Sequence, residues 1–183
     1  AIIGVETVYG RHTGSFETLS ALATLAFDYP PRAELFRREL EALFLLAREQ
    51  GRDPSEYSGS FAGALGYPQF LPSSVRAYAV DFDGNGRIDF DLDPIDAIGS
   101  VANYLHLHGW QADAPVAEPA RVETGTDLAT LVAAGIEPVL EPAPLMKAGV
   151  TTLRGDVAAQ RATLVDLETP VAETEYWLGY RNF

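Results

Sequence analysis

An amphipathic pattern bounded by two helix-breaking residues dominates the first half of the chain. Between Pro31 and Gly51, apolar residues recur at helical spacing: Leu35, Phe36, Leu40, Leu43, Phe44 and Ala47. Apolar residues with this 3.6-residue period form one face of a helix, and that face must be buried against other elements. Pro31 suits the first turn of such a helix and Gly51 suits its end. The pattern therefore predicts one long helix within a helical core.

Weaker periodicity predicts further helices on both sides of this one. They cover residues 1–12, 17–28 and 73–80, and another runs from Asp93 and Pro94 to Gly109. A proline in the first turn and a glycine after the last turn are the usual boundaries of a helix. The first 110 residues are therefore predicted to be mainly α-helical.

The character of the sequence changes after Trp110. Residues 111–125 show no clear periodicity, and a short helix is predicted over 128–134. Runs of β-branched and aromatic residues predict strands at 136–140, 150–153, 162–167 and 175–180. We predict an α+β fold in three parts: a mainly helical core over 1–110, a small β-rich subdomain over 111–174, and a return to the core over 175–183.

The composition excludes several classes of protein. The 183 residues are 47% hydrophobic, as in ordinary globular proteins. The formal net charge of −13 excludes the basic surface that nucleic-acid binding requires. The sequence contains no cysteine, which excludes thiol nucleophiles and thiolate zinc sites. Because the chain opens on a helical pattern and closes directly after a strand-like run, we expect a fragment of a longer protein.

One carboxylate lies on an apolar helical face. On a helical wheel Glu6 falls between Ile2, Ile3, Tyr9 and Gly10, so we expect it to be buried or to line a cleft. Burial raises the pKa of a carboxyl group, and a carboxyl that keeps its proton near neutral pH can act as a general acid. The structural alternative is a glutamate that pairs with an arginine or caps a neighbouring element.

Residues 59–74 form a segment rich in glycine and aromatic residues. Small residues let a backbone approach a ligand closely, aromatic rings can stack on sugar faces, and Gln69 offers both donors and acceptors. These properties suit a binding loop. They equally suit a tight connection between helices whose rings complete the core, and composition does not separate the two interpretations.

An acidic segment matches the first nine positions of an EF-hand calcium loop. Oxygen ligands fall at positions 1, 3 and 5 (Asp81, Asp83 and Asn85), a glycine follows, and Arg87 would offer its backbone carbonyl. The match fails at position 12, where Leu92 replaces the bidentate acid. Six acids between residues 81 and 96 would repel one another without a cation, so we predict a bound Ca²⁺. The alternative for the last two acids, Asp93 and Asp96, is that they cap the following helix and complement its dipole.

Together, three motifs resemble one family of proteins. Residues 1–7 with Glu6, residues 59–74, and the acidic loop running into residues 96–104 occur in the order found in the lytic transglycosylase B family. These bacterial murein-cleaving enzymes have a lysozyme-like core and an EF-hand-like calcium site. The resemblance covers residues 1–110, resumes over 175–183, and is weak between them, where the family has a small β subdomain.

The resemblance implies a reaction. Glu6 matches the single catalytic glutamate of the family, which protonates the glycosidic oxygen between N-acetylmuramic acid and N-acetylglucosamine. The glutamate then acts as a base toward the C6 hydroxyl of the same muramoyl residue, which closes a 1,6-anhydro ring. Most glycosidases need a second carboxylate, but here the substrate's own hydroxyl and N-acetyl group take that role.

The resemblance also implies binding residues. Ser60 and Gln69 match positions that orient the glutamate or bind the sugars, Phe70 and Tyr104 match aromatic residues of the cleft, and Arg32 matches a basic position near the peptide stem. For Tyr104, which has helical spacing to apolar neighbours, a core position is the alternative. The implied calcium ligands are Asp81, Asp83, Asn85, the Arg87 carbonyl and a bidentate Asp96. Asp93 is a rival to Asp96, because the loop is one residue longer than in the family.

Partners and location follow from the same resemblance. We expect a monomer that acts on peptidoglycan glycan strands in the periplasm of the bacterial cell envelope, with cell-wall synthesis or division proteins as further partners. The resemblance leaves open whether the longer protein carries a lipid anchor to the outer membrane. The alternative functions are a non-catalytic module that binds peptidoglycan or a partner, and a calcium-dependent scaffold.

Overall fold

The computed structural model describes residues 1–91, 93–156, 158 and 160–182. Leu92 and Phe183, which entered the sequence analysis, lie outside this set. The chain divides into two compact units, Ala1–His108 and Gly109–Phe183. The first unit is mainly helical and the second contains most of the strands, which confirms the predicted α+β fold.

The first unit contains five helices and one small sheet in its described residues. In chain order they are α1 (Ile2–Thr7), β1 (Phe16–Glu17), α2 (Thr18–Asp28), α3 (Ala33–Gln50), β2 (Ser58–Gly59), α4 (Pro72–Tyr78) and α5 (Pro94–Leu107). The two short strands are antiparallel, with Phe16 opposite Gly59. Single 3₁₀ turns at Pro30–Arg32 and Pro54–Glu56 complete the unit.

The core of this unit is formed by α2, α3 and buried residues between Tyr57 and Ala97. The predicted stripe on α3 buries Phe36, Leu43 and Ala47 against Leu22 of α2. Phe44 departs from the prediction, because it remains 50% exposed. Gly51 ends α3 with a left-handed backbone (φ 64°), as the sequence predicts.

The first helix is shorter than predicted. A helix was expected over residues 1–12, but α1 ends at Thr7 because Val8 and Tyr9 both adopt positive φ, 51° and 57°. Residues with side chains rarely adopt this conformation, and a β-branched residue such as valine does so least readily. The chain therefore turns sharply immediately after Glu6 and Thr7.

The second unit contains a four-stranded antiparallel sheet. Its elements are β3 (Ala117–Val122), α6 (Leu128–Val132), α7 (Pro142–Lys147), β4 (Val150–Thr152), β5 (Ala162–Thr169) and β6 (Ala172–Tyr180). The strand order is β4-β3-β6-β5. Leu145, Val150, Leu164 and Leu178 form a separate buried cluster beneath this sheet.

Two predictions for this region need correction. Residues 175–180 form the predicted strand as part of β6, but this strand pairs with β3 and β5 and is assigned to the second unit, not to the helical first unit. The predicted strand at 136–140 is reduced to a single bridge between Leu140 and Ala162.

The helices of the described residues all lack the length and apolar character that crossing a bilayer requires.

Candidate active site and acidic loop

Glu6 lies in the last turn of α1, and its side chain is exposed. The expectation that Glu6 is buried is therefore wrong. The buried residue of α1 is its neighbour Thr7, whose side chain has no solvent exposure. The helical wheel failed because Tyr9 and Gly10, two of the four residues that defined the apolar face, lie beyond the end of the helix.

Three contacts join the segment around Glu6 to the glycine-aromatic loop, residues 59–74. The Thr7 hydroxyl lies 3.0 Å from the carbonyl oxygen of Tyr67. A Cβ atom built on Gly10 would lie 2.1 Å from the Tyr67 ring, so the backbone of Gly10 packs directly on that ring. The Gln69 amide donates to the Thr13 carbonyl at 3.0 Å. The structure therefore brings together the two motifs that the sequence analysis singled out.

Ser60 and Gln69 stabilise the glycine-aromatic loop from within. The Ser60 hydroxyl oxygen accepts hydrogen bonds from the backbone N–H groups of Ala62 (3.3 Å) and Ala64 (3.1 Å). Because it acts as an acceptor in both, its own proton stays available to another group. Gln69 uses both hydrogens of its amide on carbonyls, those of Thr13 and Gly66. Its carbonyl oxygen is then the part of the side chain that suits a ligand.

The two predicted cleft aromatics belong to a cluster of rings. Phe70 is 9% exposed and lies 6.0 Å from Phe90 and 5.9 Å from Tyr104, measured between ring centroids. Tyr104 is half-buried and makes an edge-to-face contact with Tyr78 at 5.0 Å. The core alternative therefore describes Phe70, whereas Tyr104 lies at the margin of the cluster, stacked at 4.1 Å on His108.

Arg32 is exposed at the N-terminal end of α3. Its guanidinium lies 5.5 Å from the centre of the Phe36 ring. A cation–π contact of this length at an exposed site is a weak restraint. Among the residues that the structure describes, this contact leaves the Arg32 charge open to an anionic group in solution.

The acidic loop is ordered by hydrogen bonds to its own carboxylates. Asp81 accepts from the backbone N–H groups of Gly84 (2.8 Å), Asn85 (3.0 Å) and Gly86 (2.7 Å). The bond from Gly86 makes the largest contribution to lowering the pKa of Asp81, because hydrogen bonds to the charged form favour that form. The loop therefore favours the ionised form of Asp81, the residue at the first predicted ligand position.

Asp96 joins this loop from α5. Oxygen atoms of Asp81, Asp83 and Asp96 all lie within 4.8 Å of one another. Asp96 is 2% exposed and accepts from the backbone N–H groups of Phe82 (2.8 Å) and Asp89 (2.9 Å). Asp93 instead caps α5 by accepting from Ile95 N–H at 2.9 Å. Of the two rival acids, the geometry brings Asp96 into the cluster.

The remaining predicted ligands lie in the turn between these acids. The Asn85 amide donates to Asp83 at 2.8 Å, and its oxygen accepts from the Arg87 N–H at 2.9 Å. Arg87 itself is exposed. Asn85 therefore lies beside the Asp83 carboxylate, and Arg87 contacts Asn85. The ligand roles of both residues stay predictions.

Sequence reasoning missed a buried carboxylate on α3. Glu39 is 4% exposed and accepts from the backbone N–H (2.9 Å) and the hydroxyl (2.7 Å) of Ser73, in the first turn of α4. Its spacing from Phe36 and Leu43, three and four residues away, places it on the apolar face of α3. This spacing is the same signal that singled out Glu6, and here it identifies a structural residue.

Comparison with known proteins identifies the family. The family model described as "Transglycosylase SLT domain" matches residues 1–183. Membrane-bound lytic murein transglycosylase B of Escherichia coli (strain K12) is 46% identical over 182 residues, which are 100% of this chain and 48% of that protein. The chain therefore belongs to the transglycosylase SLT domain family, and it spans about half the length of this curated relative.

Solved structures agree with this assignment. The crystal structure of the soluble lytic transglycosylase SltB1 from Pseudomonas aeruginosa superposes with a TM-score of 0.87 at 49% identity, covering 99% of this chain and 59% of that one. The Escherichia coli lytic transglycosylase Slt35, solved in complex with calcium, gives 0.80 at 43% identity, covering 98% and 55%. The likeness therefore extends across both units of the chain.

Proposed function

We propose that the protein is a lytic transglycosylase that cleaves the β-1,4 bond between N-acetylmuramic acid and N-acetylglucosamine in peptidoglycan. The observation that carries this proposal is the placement of Glu6. It is an exposed carboxylate at the end of α1, and its neighbour Thr7 and the later residue Thr13 both contact the loop that contains Ser60 and Gln69. Membership of a family whose relatives are named lytic transglycosylases supports the same reaction.

In this mechanism Glu6 acts twice. Its carboxylic acid gives a proton to the glycosidic oxygen as that bond breaks, and the leaving N-acetylglucosamine departs with a hydroxyl. The resulting carboxylate then takes the proton of the muramoyl C6 hydroxyl while the C6 oxygen attacks C1. The 1,6-anhydro ring closes, Glu6 recovers its proton, and water takes no part.

Four residues are proposed to hold the substrate. The available proton of Ser60 and the amide oxygen of Gln69 would bind polar groups of the sugars near Glu6. Tyr104 would offer its half-buried ring, and Arg32 would attract a carboxylate of the peptide stem. Phe70 is proposed to act through packing, because its ring is enclosed by other aromatic side chains.

We further propose that the acidic loop holds Ca²⁺ through Asp81, Asp83, Asn85, the Arg87 carbonyl and Asp96. The three carboxylates among these ligands converge, and hard oxygen ligands are those that Ca²⁺ takes. One relative is known in complex with calcium. The ion would join the loop before α5 to the first turn of that helix and so stabilise the first unit.

Location and partners are proposed from the same relatives. We place the protein in the bacterial cell envelope, on the periplasmic side, as a monomer that acts on glycan strands. The name of the Escherichia coli relative includes the words membrane-bound, which agrees with attachment to a membrane by a lipid anchor. Proteins of cell-wall synthesis or division are proposed as further partners.

Mass spectrometry of the soluble products released from purified peptidoglycan tests the reaction. The wild-type protein should release products with 1,6-anhydromuramoyl ends, and Glu6→Gln should release none because it cannot give or take the proton. Glu41→Gln, which changes an exposed glutamate on α3, is the matched control and should behave as wild type.

The other outcomes have distinct meanings. Products with reducing ends would indicate hydrolysis and contradict the intramolecular step. If the wild type and Glu6→Gln both release no products but bind sacculi equally, the protein is a non-catalytic binding module and not an enzyme.

A further inference from the structure

Thr7 directly follows Glu6 and is fully buried. Its hydroxyl lies 3.0 Å from the carbonyl oxygen of Tyr67 and 3.1 Å from that of Ile3, and it accepts a hydrogen bond from Gly10 N–H at 3.0 Å. One oxygen atom therefore contacts the preceding turn of α1, the turn that follows α1, and the glycine-aromatic loop.

The turn after Thr7 is held in an unfavourable conformation. Val8 and Tyr9 both have positive φ, and Gly10 follows with φ 84°. Two consecutive residues with side chains in this region persist only where the surroundings fix the backbone. Here Tyr67 does so from two sides, since its carbonyl meets Thr7 and its ring packs on Gly10.

Glu6 depends on this backbone for its position. Within the described part of the chain, its side chain has no hydrogen-bond or ion-pair partner, and it is exposed. Nothing in that part therefore directs the carboxylate except the last turn of α1 from which it projects. A displacement of about 1 Å of a catalytic group can lower a rate on the order of a hundredfold.

We propose that Thr7 is a positioning residue for Glu6. Its hydroxyl fixes the last turn of α1 on the Tyr67 carbonyl and so sets where the Glu6 carboxylate lies relative to Ser60 and Gln69. This inference rests on the proposed transglycosylase function. Thr7 touches neither substrate nor the reacting atoms, and its contribution should appear in kcat.

The test compares three variants of the intact protein on soluble peptidoglycan glycan-strand fragments. Thr7→Val keeps the shape and removes the hydroxyl, and Thr7→Ser restores it. Thr18→Val is the matched control, because Thr18 is equally buried and its hydroxyl has no partner among the described residues. All assays are run well below the melting temperature of each variant, with folding checked by circular dichroism.

Thr7→Val should lower kcat about tenfold or more and change KM less than about twofold, whereas Thr7→Ser and Thr18→Val should stay within about threefold of wild type. A merely structural role would lower the melting temperature of Thr7→Val and leave kcat of the folded protein unchanged, which overturns the inference while the wild-type activity upholds the proposed function. Absence of product from the wild type would overturn both.

Discussion

Glu39 places a charged group on the apolar face of α3. A buried carboxylate is costly unless hydrogen bonds replace its water, and Glu39 obtains two from Ser73. The backbone N–H of Ser73 belongs to the first turn of α4, where such groups lack partners within the helix. The Glu39 side chain, which projects from α3, therefore caps the N-terminus of α4 and fixes how α4 packs against α3.

Replacement of this carboxylate should destabilise the protein. Glu39→Gln keeps the volume but has one acceptor oxygen for two donors, so we expect the free energy of unfolding to fall by about 2 kcal/mol. Urea denaturation measures the change, and the exposed Glu41→Gln on the same helix should shift it little. A loss in Glu39→Gln no larger than in this control would show that Ser73 finds other partners at no cost.

The contrast between Glu39 and Glu6 shows what a helical wheel can predict about single residues. Both glutamates have apolar neighbours three and four positions away, yet Glu39 is buried and Glu6 is exposed. The wheel holds for most of α3, whose 18 residues are continuous, with Phe44 as the exception. It fails for α1, because two left-handed residues end that helix and no propensity rule predicts them at Val8 and Tyr9.

At the scale of elements, prolines and glycines decide which predictions are confirmed. The helices α2, α3, α4 and α5 lie close to their predicted bounds, because Pro and Gly mark their ends or apolar periodicity is strong. The strand β3 was missed, since Pro119 and the small residues beside it resemble a loop. Its first half pairs with β6 and its second half with β4, so Pro119 has a partner strand on one side alone.

Helix α7 was missed for a related reason. Two of its six residues, Pro142 and Pro144, interrupt any apolar pattern, although Pro142 occupies a first-turn position where proline is favourable. Its burial in the second unit depends on Leu145. Such a short helix is stabilised by packing more than by its own sequence, and packing is not visible in a sequence.

The ion pair between α3 and α4 should make stability depend on pH. Arg76 contacts both carboxylate oxygens of Glu49, at 2.7 and 2.9 Å, and this hydrogen bonding lowers the pKa of Glu49 from its ordinary value of 4.5. A carboxyl group whose pKa is lowered in the folded state stabilises that state at pH values above its ordinary pKa. This stabilisation is lost as the pH falls below that ordinary pKa. The contribution is small, because both side chains are partly exposed.

A double-mutant cycle with Glu49→Gln and Arg76→Gln measures this contribution. The coupling from urea denaturation should favour folding at pH 7 and decline as the pH falls below 4.5. A coupling that is equal at pH 7 and about pH 3 would show that the pair owes nothing to the ionised carboxylate.

For the whole molecule, charge is the dominant electrostatic property. The chain carries 26 acidic and 13 basic residues, and an excess of one sign works against the compact state. Added salt alone screens this repulsion and should stabilise the protein somewhat. An effect of calcium on stability therefore needs to be separated from general screening.

Calcium should stabilise the protein beyond any effect of ionic strength. Binding to the folded state alone adds about 2.7 kcal/mol when the free ion is at 100 times its dissociation constant, which raises the melting temperature. Thermal unfolding is followed in Ca²⁺, in Mg²⁺, and in NaCl at equal ionic strength. Ca²⁺ should give the largest shift, because Mg²⁺ demands stricter geometry and gives up its water reluctantly.

Two single substitutions locate this effect in the acidic loop. Asp83→Asn removes an exposed carboxylate of the converging group and should abolish most of the calcium response. Asp93→Asn is the control, because asparagine caps a helix as well as aspartate does, and Asp93 accepts from Ile95 N–H without joining that group. A response lost in Asp93→Asn as well as in Asp83→Asn would make Asp93 a ligand, the role proposed here for Asp96, and a response kept in Asp83→Asn would contradict the proposed site. Equal shifts of the melting temperature in NaCl and in Ca²⁺ would show that the ions only screen the charges of the loop and that no calcium site is present.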